Sequence, residues 1–286
     1  MILISSAAYL QGDFSSEVGQ LPPSLLPIGN KCLYEYQVEF LKELYNDEDI
    51  YLSLPDSYKL NIFDKSRINN LGVNILEVPA DLSLAESILY SWNISGKNFS
   101  HLTILYGDTL FLESNFSGDD IISVHSNHGF YQRAFLGQDA TNLSNVRDVL
   151  SNNVDQVISG FFSFSEPFLL MKHIVNSKND FVSAVVSYDR ERPLKCLSNG
   201  TWLDMGHINS FFQSRTKMTT QRSFNNLTIT SRNVLKNSQS KPKKIFAEGN
   251  WYKELPRPLC IYTPTLCDFN KGDNHHEGAF YELEYL

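Results

Sequence analysis

The chain opens on an uninterrupted apolar run, Met1-Ile2-Leu3-Ile4, followed at once by the small residues Ser5-Ser6-Ala7-Ala8. A short apolar run that ends in turn-forming residues predicts a buried strand, and small residues behind it let backbone approach a ligand. After a loop, Tyr34, Gln37, Val38, Leu41 and Leu44 recur near helical spacing with Glu35, Glu39, Lys42 and Glu43 between them, which predicts an amphipathic helix. The opening therefore reads strand, loop, helix. Near the other end, Phe224-Asn225-Asn226-Leu227-Thr228-Ile229-Thr230 and Asn233-Val234-Leu235-Lys236-Asn237-Ser238 read as two short strands. A helix that stops at Pro256 follows from Ile245, and Tyr262-Thr263-Pro264-Thr265-Leu266 with Phe280-Tyr281-Glu282-Leu283-Glu284-Tyr285-Leu286 reads as a further hairpin. Asp189-Arg190-Glu191-Arg192-Pro193 is read as an exposed turn, and His125 and His128 as part of an irregular polar stretch.

Composition narrows the class. With 286 residues, 42% of them hydrophobic and 13% aromatic, there is material for a large core in one or two domains. No basic n-region precedes Met1-Ile2-Leu3-Ile4 and no apolar run approaches a membrane span, so a cytoplasmic protein is expected. Cys32, Cys196, Cys260 and Cys267 show no Cys-x-x-Cys pair, which predicts reduced thiols and no zinc site. Histidine ligation of a metal by His125, His128, His275 or His276 is not expected; His207, three residues beyond Asp204, is read either as lining a substrate pocket or as a structural hydrogen-bonding group.

Charge is uneven. The net charge is −8, yet residues 213–258 hold ten Lys or Arg against Glu248 and Glu254, so this segment carries +8 and the remainder −16. The boundary at 212/213 marks a second, basic module. No stacking motif or recognition helix accompanies the positive charge, so nucleic acid is not an expected partner.

Two aspartates carry the candidate chemistry. Asp108 stands in Leu105-Tyr106-Gly107-Asp108-Thr109-Leu110-Phe111 and Asp204 in Trp202-Leu203-Asp204-Met205-Gly206-His207, each behind a segment that reads as a buried strand. Carboxylates at strand ends, open to a loop, suit Mg²⁺, which is held by one or two carboxylates plus substrate phosphate oxygens.

In these residues the chain resembles the nucleotidyltransferases that activate sugar 1-phosphates and phosphocholine. The opening strand and Leu21-Pro22-Pro23-Ser24-Leu25-Leu26-Pro27 are similar to the family's N-terminal strand, loop and Pro-Lys-x-Leu-Leu-Pro stretch. Val78-Pro79-Ala80-Asp81-Leu82-Ser83-Leu84-Ala85-Glu86-Ser87 resembles the segment bordering base and sugar, and Val157-Ile158-Ser159-Gly160-Phe161-Phe162-Ser163-Phe164 the strand returning beside the substrate. Gly107-Asp108 and Trp202-Leu203-Asp204-Met205-Gly206 resemble the two metal-aspartate motifs. The resemblance covers about residues 1–212 and implies an α/β fold, with a mostly parallel, Rossmann-like sheet flanked by helices that binds nucleotide at its carboxyl edge. It implies Mg²⁺ on Asp108 and Asp204, a triphosphate cradle of backbone at residues 6–12 (Ser6, Ala7, Ala8 and Gly12 among them), and Leu84, Ala85 and Glu86 beside base or sugar. The partners would be a nucleoside triphosphate and a phosphorylated small molecule, and the product a precursor of capsule or other surface polysaccharide. The family's lysine in the Pro-Lys-x-Leu-Leu-Pro stretch is replaced by Pro23, and residues 98–171 contain no lysine, where the family has its second. Lys31 and Arg133 are the cations that remain to support catalysis.

Residues 213–286 resemble the N-terminal lobe of choline kinases and aminoglycoside phosphotransferases, in which a strand lysine contacts ATP phosphates and pairs with a helix glutamate; these would be Lys236 and Glu248. The chain stops where that lobe's hinge would begin, and a piece of a longer transferase–kinase arrangement is one reading. The competing reading is a β-rich extension that packs on the sheet or supports a homo-oligomer. For the whole chain the alternatives to an enzyme of this type are a non-catalytic scaffold or regulator on the same fold, and a metal-dependent glycosyltransferase using Asp47-Glu48-Asp49.

Overall fold

In the computed structural model, the residues described are all except 46–47, 127–132, 136–146, 150–155, 219–225, 231, 239–240, 271–278 and 286. The opening run forms β1 (Ile2–Ser5), with α1 (Gly12–Val18), a 3-10 turn at Pro23–Leu25, and the small hairpin β2 (Pro27–Ile28) and β3 (Lys31–Cys32) behind it. The expected amphipathic helix is α2 (Leu33–Leu44), capped reciprocally by Cys32 and Glu35, with Tyr34, Gln37, Val38 and Leu41 buried. There follow β4 (Ile50–Pro55), α3 (Ile62–Asn70), β5 (Asn74–Val78), α4 (Leu84–Ile94), β6 (Leu102–Tyr106), β7 (Thr109–Leu112) and β8 (Ile121–Ser126). Then come β9 (Arg133–Phe135), β10 (Arg147–Val149), β11 (Gln156–Phe164), α5 (Pro167–Asn176), α6 (Phe181–Glu191), β12 (Lys195–Leu197), β13 (Thr201–Asp204) and α7 (Ile208–Lys217).

The large sheet runs β10-β9-β11-β6-β1-β4-β5, with β8 against β11 and β12 against β8. Its centre, β6-β1-β4-β5, is parallel, and β11 adds antiparallel to β6. Both faces are covered, and alternation along β1 shows how: Ile2 and Ile4 enter a core with Tyr34, Val38 and Leu41 of α2, while Leu3 enters another with Ala85 and Ile88 of α4. This is the expected α/β fold, a central sheet flanked by helices, with smaller antiparallel sheets added.

Connectivity locates the crevice. From β1 the chain winds outward to β4 and β5, then returns through α4 to β6 on the other side of β1, so the strand order reverses between β1 and β6. In open α/β sheets ligands bind at the carboxyl ends of the strands at such a reversal. The residues there are the loop after Ser5 and the Gly107-Asp108 turn after Tyr106.

The chain divides into two compact units, Met1–Phe211 and Phe212–Leu286. The second is a four-stranded antiparallel sheet built from β14 (Asn226–Ile229), β15 (Asn233–Ser238), β16 (Leu266–Asn270) and β17 (Ala279–Glu284) in the order β14-β15-β17-β16. Helix α8 (Pro242–Lys253) and the short α9 (Arg257–Cys260) lie between β15 and β16 in the chain. Its core joins Ile245 of α8 to Ala279, Tyr281 and Leu283 of β17.

Some local expectations are corrected. Asp189, Arg190 and Glu191 form the last turn of α6 rather than an exposed turn, and Asp189 accepts the Leu194 amide at 2.8 Å to end the helix. His125 lies in β8, buried, not in irregular chain; His128, His275 and His276 lie outside the described residues. The hairpin partner of β17 begins at Leu266, not Tyr262, because Thr263-Pro264 still belong to the turn that follows α9. Among the described residues no helix is long and apolar enough to cross a membrane.

Candidate active site

Asp108 occupies a two-residue turn, Gly107-Asp108, between β6 and β7. Close approach dictates the glycine: its amide donates to Ser5 O at 2.7 Å, and a Cβ there would lie 2.5 Å from Ser6 Cβ. Inside, the buried Gln37 side chain donates from Nε2 to Tyr106 O (3.0 Å) and Thr109 O (2.7 Å), the carbonyls on either side of the turn.

Asp204 arrives from 96 residues further along through strand pairing. Strands β7 and β13 form an antiparallel ribbon with Thr109 opposite Asp204 and Phe111 opposite Trp202, and the Met205 amide donates to Asp108 O at 2.8 Å. That register sets the two aspartates side by side. Gly206 completes the fit: a Cβ at this position would lie 2.3 Å from Asp108 Oδ2, so a side chain here would push the carboxylate from its place. The Gly206 amide donates to Asp204 Oδ1 at 3.0 Å, and His207 Nδ1 meets Asp204 Oδ2 at 3.2 Å. His207 thus acts as a hydrogen-bonding neighbour of Asp204.

The pair is electrostatically tense. Burial, and then the negative charge of Asp204, push the Asp108 carboxyl up to about 6, against a smaller opposing pull from His207. A divalent cation between the carboxylates would relieve that repulsion, so the donor set fits Mg²⁺. Among the described residues no group of three or more His, Cys, Asp or Glu could hold a metal, so any ion here has two protein carboxylates and takes its remaining ligands from elsewhere.

Behind the ribbon, His125 Nδ1 meets Ser159 Oγ at 2.9 Å and its ring packs on Phe111 and Trp202; burial holds its pKa below the ordinary histidine value. Next to Ser159, Gly160 has φ +91°, and a Cβ would lie 2.8 Å from the Tyr106 ring and 3.0 Å from Thr109 Oγ1. The bulge of β11 against β8 spans this residue. Gln37, Gly160 and His125 support the site without having been legible as site residues. The available signal for Gln37 was a polar residue on the apolar stripe of its helix.

Of the other sequence candidates, Ser6 stays beside the Gly107-Asp108 turn, and the rest have surroundings of their own. Ser6 is buried; its amide donates to Ser53 Oγ and its hydroxyl accepts the Ser24 amide, both at 3.0 Å. The Leu10 amide goes to Leu21 O. Ala7 is buried, Ala8 exposed, and Gly12 starts α1 at φ +60°. Leu84 is exposed and Ala85 buried, whereas Glu86 is the capping-box partner of Ser83 and also accepts Asn179 Nδ2 at 3.0 Å. Lys31 is engaged by Glu39 and stands 5.0 Å from the Tyr36 ring. Arg133 lies in β9, and its side chain is outside the described residues. Asp49 pairs with Lys97 at 2.6 Å, and Asp47 is outside the described residues.

Within the second unit, Lys236 of β15 forms an ion pair with Glu248 of α8 at 2.6 Å, Tyr281 Oη donates to the same carboxylate at 3.1 Å, and Lys244 lies 3.9 Å away. Burial pushes the Glu248 carboxyl up, but Lys236, Tyr281 and Lys244 together outweigh it and hold the group below the usual range.

No family model matches the chain, and no curated protein matches it in sequence. Solved structures do resemble it in fold. The nucleoside-diphosphate-sugar pyrophosphorylase from Vibrio cholerae superposes with a TM-score of 0.61 at 13% identity, over 75% of this chain and 99% of that one. HddC from Yersinia pseudotuberculosis gives 0.54 at 17% identity over 76% and 98%. The inositol-1-phosphate CTP transferase from T. maritima gives 0.51 at 16% identity over 76% and 94%. The chain thus shares its fold with these solved structures.

Proposed function

We propose that the chain is a Mg²⁺-dependent nucleotidyltransferase that converts a sugar phosphate or small phosphorylated alcohol to its nucleotide diphosphate form. The observation that carries this reading is the meeting of Asp108 and Asp204, on a pre-shaped ribbon, at the reversal of strand order. An acceptor phosphate oxygen would attack the α-phosphorus of a nucleoside triphosphate; one P–O bond forms, the α–β bridge breaks, and pyrophosphate leaves. Bound between the carboxylates, Mg²⁺ would neutralise charge on the α-phosphate and the leaving group.

The chain's own residues have separable tasks. Asp108 and Asp204 supply the anionic ligands, Gly206 leaves the space, and His207 and the Gly206 amide orient Asp204. With the Ser6 and Leu10 amides already committed, the triphosphate cradle narrows to backbone at residues 7–9, 11 and 12. Leu84 is the exposed member of the trio assigned to base or sugar. Arg133 is the cation to test first, since Lys31 is held by Glu39. The product class, an activated sugar or alcohol, suits surface-polysaccharide synthesis. The second unit is read as a partial kinase N-lobe in which Lys236, oriented by Glu248, would meet nucleotide phosphates.

One observation favours a second reading. With Pro23 in the place of a lysine and Lys31 engaged by Glu39, a scaffold that binds nucleotide without turning it over also fits. The two separate in an assay of pyrophosphate release from the full chain with Mg²⁺, each of five nucleoside triphosphates, and a panel of sugar 1-phosphates and phosphocholine. The enzyme gives release for one pairing, abolished in Asp108→Asn; the scaffold gives nucleotide binding and no release.

A further inference from the structure

Gln37 is a polar residue where helix α2 presents its apolar face. It is fully buried among Tyr34, Val38 and Leu41, and both hydrogen bonds of its amide nitrogen go to the carbonyls that bracket Gly107-Asp108. Its Oε1 is buried and has no hydrogen-bond partner among the described residues. An unsatisfied buried acceptor is a cost that a leucine or methionine of similar volume would avoid. Such a replacement would, however, take from the Tyr106 and Thr109 carbonyls the bonds that Gln37 gives them, so the benefit of glutamine is local to this turn. What a hydrocarbon side chain cannot do is hold two carbonyls at once. One turn further along α2, Phe40 packs at ring-centroid distances of 5.8, 6.1 and 6.3 Å against Phe111, Phe116 and Phe161, which fixes the helix against the ribbon.

We infer that Gln37 is a positioning residue that presents the Asp108 carboxylate to a divalent ion. It grips the turn from beneath, while the bond from the Gly107 amide to Ser5 O and that from the Met205 amide to Asp108 O hold it at the sides. The inference rests on the proposed reading of Asp108 and Asp204 as metal ligands. Groups that orient metal ligands from behind affect metal affinity about 10–100-fold when removed.

The test uses the full chain, with Mn²⁺ as the probe, its free concentration read by electron paramagnetic resonance, and thermal midpoints measured in metal-free buffer. Wild type, Asp108→Asn, Gln37→Leu and Gln37→Met are compared. Expected are folded Gln37 variants with midpoints lowered by the loss of two hydrogen bonds and Mn²⁺ affinity at least about tenfold weaker than wild type. Affinity within about twofold of wild type in the Gln37 variants, or failure of both to fold, would overturn the inference in favour of a purely structural role. If wild type and Asp108→Asn bind Mn²⁺ alike, the metal site itself falls, a result distinct from failure of Gln37 alone.

Discussion

At Asp108 a local sequence of little specificity becomes a defined chemical position. Gly-Asp is an ordinary turn dipeptide, and its meaning comes from the Asp204 carboxylate beside it. Because the folded carboxyl titrates at about 6, above its ordinary value of 3.8, the folded chain binds a proton more readily than the unfolded chain. Stability contributed by that proton is present at low pH and is lost as pH rises through about 6. Asp108→Asn should therefore raise the stability of the metal-free protein by about 1–2 kcal/mol at pH 7.5, a value discounted for partial exposure, and by nearly nothing at pH 4. Urea titrations at the two pH values check this. Gly206→Ala makes the complementary prediction: a methyl 2.3 Å from Asp108 Oδ2 must displace the carboxylate, so Mn²⁺ affinity should drop about tenfold or more in calorimetric titration while the chain still folds.

At the scale of elements, β1 and α2 were legible because each writes its environment into its own residues: a continuous apolar run for a doubly covered strand, a helical stripe for a half-covered helix. What periodicity could not contain was register. The pairing of Thr109 with Asp204 joins segments far apart in the chain, and the β11 bulge at Gly160 is visible only from the Tyr106 ring that fills the space a side chain would need. Lys31 shows the same limit, since its partner Glu39 lies across the hairpin-to-helix junction. Asp189 reads as part of a turn because Arg192-Pro193 close the same stretch, although the helix runs through Glu191. Gly160→Ala forces a side chain into φ +91° and against that ring. It should cost about 2–3 kcal/mol, seen as a lower urea midpoint.

At the scale of the molecule, fold class and the division of charge were legible, whereas the crevice was not, because it follows from a strand order that only the assembled sheet displays. The second unit's own core also carries an expectation. Gly249 of α8 packs against Phe269, which would lie 2.3 Å from an added Cβ, within the second unit's own core. Gly249→Val should lower the unfolding midpoint of that unit while leaving nucleotide-induced stabilisation at Asp108 and Asp204 intact, as scanning calorimetry with and without nucleotide would show. The central claim is that those two aspartates jointly fix a metal–nucleotide pair. Its most direct test is the thermal midpoint of the full chain with Mg²⁺ and each of CTP, UTP, GTP, ATP and dTTP, in wild type, Asp108→Asn and Asp204→Asn. Binding raises the midpoint by mass action. The account predicts a Mg²⁺-dependent rise for one nucleotide that disappears in both variants; a rise that survives in either variant, or no rise with any nucleotide, would contradict it.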